Sequence, residues 1–87
     1  MSVLRVAVTP AWTKLADAGA FVIQNLGHTG LEFAVVDIAP AATDLGGRVL
    51  LNYGDTLDAF TYEEDIYVRG IGGVPGVVGL AAVAAVV

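Results

Sequence analysis

The sequence predicts an all-β fold, a small antiparallel β-sandwich or β-barrel of six to seven short strands, in a single domain over residues 1–87. Three observations lead there. Short apolar runs alternate with period two, as half-buried strands do. Clusters of Gly, Pro, Asn and Asp interrupt them roughly every 8–12 residues. No long stretch carries the 3.6-residue period of an amphipathic helix.

Residues 3–9 place Leu4, Val6 and Val8 on one face and Arg5, Ala7 and Thr9 on the other, and Pro10 ends that strand. Residues 10–18 read two ways. Thr9 as N-cap, Pro10 at the first helical position and Gly19 as C-cap frame a helix of about two turns. A helix that short is weak without packing support, which favours a strand at 12–16 and a turn at 17–19. The strongest local signal is AFVIQNLGHTGLEFAVVDI at 20–38. Two Phe/Val/Ile-rich arms flank Asn25, Gly27 and Gly30, residues suited to positive φ, so the stretch predicts a β-hairpin with Gly30 at the reversal. Its second arm sets Leu31, Phe33 and Val35 against Glu32, Ala34, Val36 and Ile38, and its apolar far end suits an inner strand.

Residues 39–47 form a loop, with Pro40 to stop pairing and Gly46-Gly47 to turn the chain. A short strand at 48–51 and a turn at 52–55 follow, and 56–62 leads into the next strand. In the strand at 65–70, Ile66 and Val68 face one way and Tyr67 and Arg69 the other. The Gly-rich 70–76 reverses the chain into a last strand at 77–86, although the Ala-rich 80–85 also has helical propensity.

Composition bounds the partners. A chain of 87 residues and 8.9 kDa folds to a surface of ~4,800 Å² from ~12,900 Å², about 63% buried. Hydrophobic residues make up 56% of the chain and charged ones 15%, more apolar surface than so small a sphere hides. This implies a homo-oligomer or a component of a larger assembly. The net charge of −5 repels phosphate backbones and anionic lipid, so nucleic acid is not expected as a partner. Without cysteine there is neither a disulfide scaffold nor a thiolate metal site. The amino terminus lacks the pattern of a secretory signal. Residues 74–87 fall short of the roughly 20 that a spanning helix needs and are interrupted by Pro75, Gly76 and Gly79, so no membrane is expected.

Candidate chemistry is sparse, and no catalytic residue, cofactor or metal ligand is assigned. His28 is the lone histidine, on a turn with no Ser, Cys or acid beside it, and reads as solvent-exposed. Asp55, Asp58, Glu63, Glu64 and Asp65 could supply oxygen ligands to calcium, but their spacing is not that of an EF-hand, and a solvated charge run explains them as well. Residues 70–76 (GIGGVPG) have neither the following helix nor the room that a dinucleotide loop needs. Trp12, Tyr53, Phe60, Tyr62 and Tyr67 read as packing aromatics in preference to a sugar or base platform. Arg69, on an otherwise apolar strand, reads as an interface or loop-clamping donor.

The segments AWTKLADAGAFVIQNLG, EFAVVDIAPA and EEDIYVRG, the last followed by a Gly-rich turn and an apolar strand, resemble the small structural proteins of tailed bacteriophage virions. The resemblance runs from Ala11 to the end. It implies a β-sandwich or β-barrel virion component without catalytic residues. A capsid decoration (cement) protein, bound to the major capsid protein or other virion proteins and favoured as a trimer, is the leading form. A glycan- or ligand-binding module, such as the base domain of a fibre, is the alternative. Localisation would be the virion, assembled in the host cytoplasm. Trp12, Gln24, Asn25, Tyr67 and Arg69 match the theme as structural or interface positions, with Trp12, Tyr67 and Arg69 the candidate interface.

Overall fold

The computed structural model describes residues 4–41, 43–44 and 46–82. Eight strands are formed: β1 (Leu4–Val8), β2 (Thr13–Ala16), β3 (Gly19–Asn25), β4 (Leu31–Val35), β5 (Arg48–Leu50), β6 (Thr56–Tyr62), β7 (Ile66–Gly70) and β8 (Gly76–Ala82). A single 3₁₀ turn, Ile71–Gly73, joins the last two. Residues 10–18 hold β2 and not the alternative helix. Residues 80–82 are strand, while the rest of the Ala-rich end and Val3 lie outside the described residues.

The strands make two four-stranded antiparallel sheets, β1-β8-β3-β6 and β2-β7-β4-β5, open at their edges and therefore a sandwich rather than a closed barrel. The count is eight, above the expected six to seven, with 56–62 forming a strand of its own, β6, beside β3. Pairing is nested. β1 joins β8, β2 joins β7, β3 joins β6 and β4 joins β5, with β3–β8 and β4–β7 contacts closing the two sheets. A long hairpin of strand pairs rolled up in this order is a jelly roll, one of the double-sheet answers to covering a core with short antiparallel strands.

The expected hairpin at 20–38 is absent. β3 and β4 lie in different sheets, and 26–30 arches between them. Period-two alternation puts Phe21 and Ile23 on one side of β3 and Leu31 and Phe33 on one side of β4 whether the arms lie side by side or face each other, so the pattern alone does not separate a hairpin from an arch. Turn geometry decides. Among the described residues only Gly54, Gly72 and Gly73 have positive φ, so neither Gly27 nor Gly30 takes the left-handed angle of a tight reversal. β4 is nonetheless the inner strand its composition suggested, between β7 and β5.

Every sheet contributes to one core. Val8, Ile23, Leu31, Phe33, Leu50, Ile66, Val68, Val78 and Leu80 are buried together, with Leu15 of β2 and Leu57 of β6 packed against them. Each large side chain so removed from water contributes about 1.5–3 kcal/mol.

Candidate functional site

Nesting sends the connections to two ends of the sandwich. One end gathers 9–12, 26–30, 51–55 and 71–75, tied by backbone bonds from Gly70 N to Thr9 O, Ile71 N to Gly30 O and Leu26 N to Val77 O. The other gathers 17–18, 36–47 and 63–65, where Asp65 accepts from Ala18 N and pairs with Lys14, as does Asp17. The two carboxylates raise the Lys14 pKa above its usual value.

Asn25 is the hub of the first end. Its side chain is fully buried and links both sheets: Nδ2 donates to Thr29 O at 2.9 Å and to Leu50 O at 3.0 Å, and Oδ1 accepts from Gly27 N at 2.9 Å. Its backbone bonds the 51–55 turn, through Asn25 N to Asp55 O and Gly54 N to Asn25 O. The matched "VIQN" segment therefore carries an arch-forming asparagine.

The candidate interface residues share the outer face of β2-β7-β4-β5. Register sets Thr13 opposite Val68 and Glu32 opposite Arg69, so Trp12, Arg69 and Glu32 form one row across the sheet; Lys14, Tyr67 and Ala34 form the next. The Arg69 guanidinium carbon lies 4.4 Å from the Trp12 ring centroid, a cation–π contact. Arg69 Nε donates to Glu32 Oε1 at 2.8 Å and Nη2 donates to Asp44 O at 2.9 Å, while Glu32 Oε2 accepts from Gly46 N. A Cβ at Gly46 would overlap Phe33 O, so the loop lies directly on the β4 backbone. Arg69 and Glu32 thereby strap the β4–β5 loop onto the sheet. Burial pushes the Glu32 carboxyl up, but Gly46 N–H and the Arg69 guanidinium together overcome this and hold it below the ordinary carboxylate range. Trp12 Nε1 is shut off from water with no hydrogen-bond partner among the described residues.

The sequence did not single out Glu32. Its signal was an acid in the middle of an apolar strand, as conspicuous as the Arg69 that it meets. Tyr67 stays half-buried beside this strap. An open groove of about 440 Å³, lined by Pro10, Val49, Arg69, Ile71 and Gly72–Gly73, runs from the strap toward the first loop end. There Val49, Leu51, Tyr53 and Val74 are all substantially exposed, and His28, also exposed, stacks on Tyr53 at 5.5 Å.

Other candidates do not converge. Asp55 and Asp65 stand at opposite ends of β6, about 20 Å apart at strand rise. Asp55 accepts from Asn52 N in its own turn and Asp65 braces the other loop end. Among the described residues no three His, Cys, Asp or Glu could hold a metal together. Trp12 and Tyr67 share a face, Tyr53 lies at the loop end, and the side chains of Asp58, Phe60 and Tyr62 lie outside those described. Among the described residues no helix is long and apolar enough to cross a membrane.

Topology and site define a small eight-stranded jelly roll whose polar cluster braces its own loop and whose exposed apolar residues Val49, Leu51, Tyr53 and Val74 lie toward one end, with the exposed Ile38 at the other. No family model matches the chain, and neither a curated protein nor a solved structure matches it.

Proposed function

We propose that the chain is a non-enzymatic virion structural protein, a capsid decoration protein that binds the outer surface of a phage shell through the major capsid protein or a neighbouring virion protein. The observation that carries this is the exposed set Val49, Leu51, Tyr53 and Val74 at one end of a braced sandwich, a surface suited to packing against a partner. The jelly roll recurs in viral capsid domains, which supports the reading by analogy, as does the resemblance of the "VIQN" and "IYVRG" segments. Trp12, Tyr67 and Arg69 belong to the adjoining face. The mechanism is mass action: contacts made only on the assembled shell lower its free energy relative to the open state.

Co-sedimentation with capsids tests it. The chain is expected to pellet with particles, and Leu51→Asp and Tyr67→Asp to release it while leaving its circular dichroism unchanged. A folded chain that stays in the supernatant refutes the assignment. Retention of that chain on a glycan resin would favour the second reading, a sugar-binding module, for which the exposed His28–Tyr53 stack is the specific support.

A further inference from the structure

The four sheet edges are not alike. β2 carries a register shift between Lys14 and Ala16, and its Lys14 charge is fixed by Asp17 and Asp65. β5 spans only Arg48–Leu50. β6 is bulged against β3, where Phe21 to Ile23 oppose Phe60 to Leu57. Bulges, shortness and fixed charge are the usual ways of keeping an edge from pairing. β1 is neither bulged nor as short as β5, and its one charged residue is Arg5. The strand pairs with β8 in unbroken register from Leu4–Leu80 to Val8–Gly76, and among the described residues no strand covers its other side.

Which groups that edge presents follows from the ladder. Asn25 is opposite Val78, yet its N–H and C=O bond Asp55 and Gly54, and the next residue, Leu26, donates to Val77 O. Val77 therefore points its backbone at β3 and Val78 at β1. Opposite Val78, Val6 points its own N–H and C=O at β8, so by alternation those of Arg5 and Ala7 point out of the sheet edge. Both residues are exposed.

We propose that β1 pairs with β1 of a second copy of this chain, antiparallel about a two-fold axis at Val6. In that register Arg5 lies opposite Ala7 of the second copy and Ala7 opposite its Arg5. The two outward-pointing residues are the ones that exchange N–H···O=C bonds, two per pair. The long Arg5 stem lies over a methyl group, and the two Arg5 charges avoid each other. Moving the axis one residue to Arg5 would set like charges directly opposite, which is unfavourable. Moving it to Ala7 would call on Thr9 O, already bonded to Gly70 N. The Val6-centred register is self-complementary, as an isologous interface requires, and joins β1-β8-β3-β6 of both copies into one continuous sheet.

This proposal concerns the chain alone and does not rest on capsid binding. Sedimentation equilibrium of the full chain is expected to give a dimer. Ala7→Pro removes an N–H that faces only the open edge, so it should yield a monomer with unchanged circular dichroism. Ala7→Glu places a carboxylate opposite Arg5 of the second copy and should tighten the dimer, and Ala7→Lys should weaken it, each by roughly 2- to 30-fold over the two symmetry-related pairs. Adding Arg5→Glu to Ala7→Lys should restore association. A monomer, a trimer, or a dimer indifferent to Ala7→Pro and to the sign of the charge at position 7 would each overturn the proposal.

Discussion

Asn25 shows how one polar side chain can fix a crossing between sheets. A buried amide costs free energy unless its groups are bonded, and here both its donors and its carbonyl find backbone partners on 27–29 and on Leu50. Asn25→Ala would strand those partners and open the arch, with an expected loss of about 2–4 kcal/mol in denaturant unfolding. Glycines at this end act through space and not through φ. A Cβ at Gly30 would press on the flexible ends of Ile71 and Leu51, at 3.3 and 3.4 Å, and meet Ile71 Cβ at an ordinary 3.6 Å, whereas one at Gly70 would overlap the Val74 carbonyl oxygen. Gly30→Ala is therefore expected to cost under about 1 kcal/mol and Gly70→Ala more than about 2 kcal/mol, as read from paired melts of the two variants.

At the scale of the element, the β4–β5 loop is held by charge. The folded-state pKa of Glu32 is depressed, so the stability it contributes is fully present above its unfolded pKa and is lost as pH falls through the lower folded value. Unfolding midpoints measured below the ordinary carboxylate range should thus fall more steeply for the wild type than for Glu32→Gln. At neutral pH that variant should be about 1–2 kcal/mol less stable. Arg69→Ala removes the bond to Asp44 O as well, and protease should then cut within 36–47 before the rest of the chain. Much of this was legible in the sequence. The strands around Leu4–Val8 and Ile66–Gly70 follow from alternation and their flanking turns, and the opposed faces of Tyr67/Arg69 and Ile66/Val68 follow from period two. The loop-clamping character of Arg69 followed from a lone cation on an apolar strand. Partner choice was not legible, since β3 has the same inward face beside β4 as across from it. Glu32 and Arg69 are 37 residues apart in the chain, and only the β4–β7 register brings them together.

At the scale of the whole molecule, nested pairing sets an order of assembly. β4 and β5 are the one pair of consecutive strands in a common sheet, with 12 residues between Val35 and Arg48, whereas 67 separate Val8 from Gly76. Closing the longer loop directly costs about 1.5 kcal/mol more than closing the shorter, taking (3/2)RT ln(67/12). Pairing β4–β5 first shortens the effective loop for β3–β6 and β2–β7, and β1–β8 closes last. The rate-limiting nucleus should hold the β4–β5 end, and folding should take milliseconds to seconds, as in other sandwiches dominated by non-local pairs. Leu50→Ala and Val8→Ala remove comparable buried side chains, 5% and 2% exposed, from the two extremes of this order. Stopped-flow chevrons are expected to place the Leu50→Ala loss mainly in a slower folding limb and the Val8→Ala loss mainly in a faster unfolding limb. The reverse partition, or microsecond folding, would show that the two sheets assemble before the roll closes from its inner end.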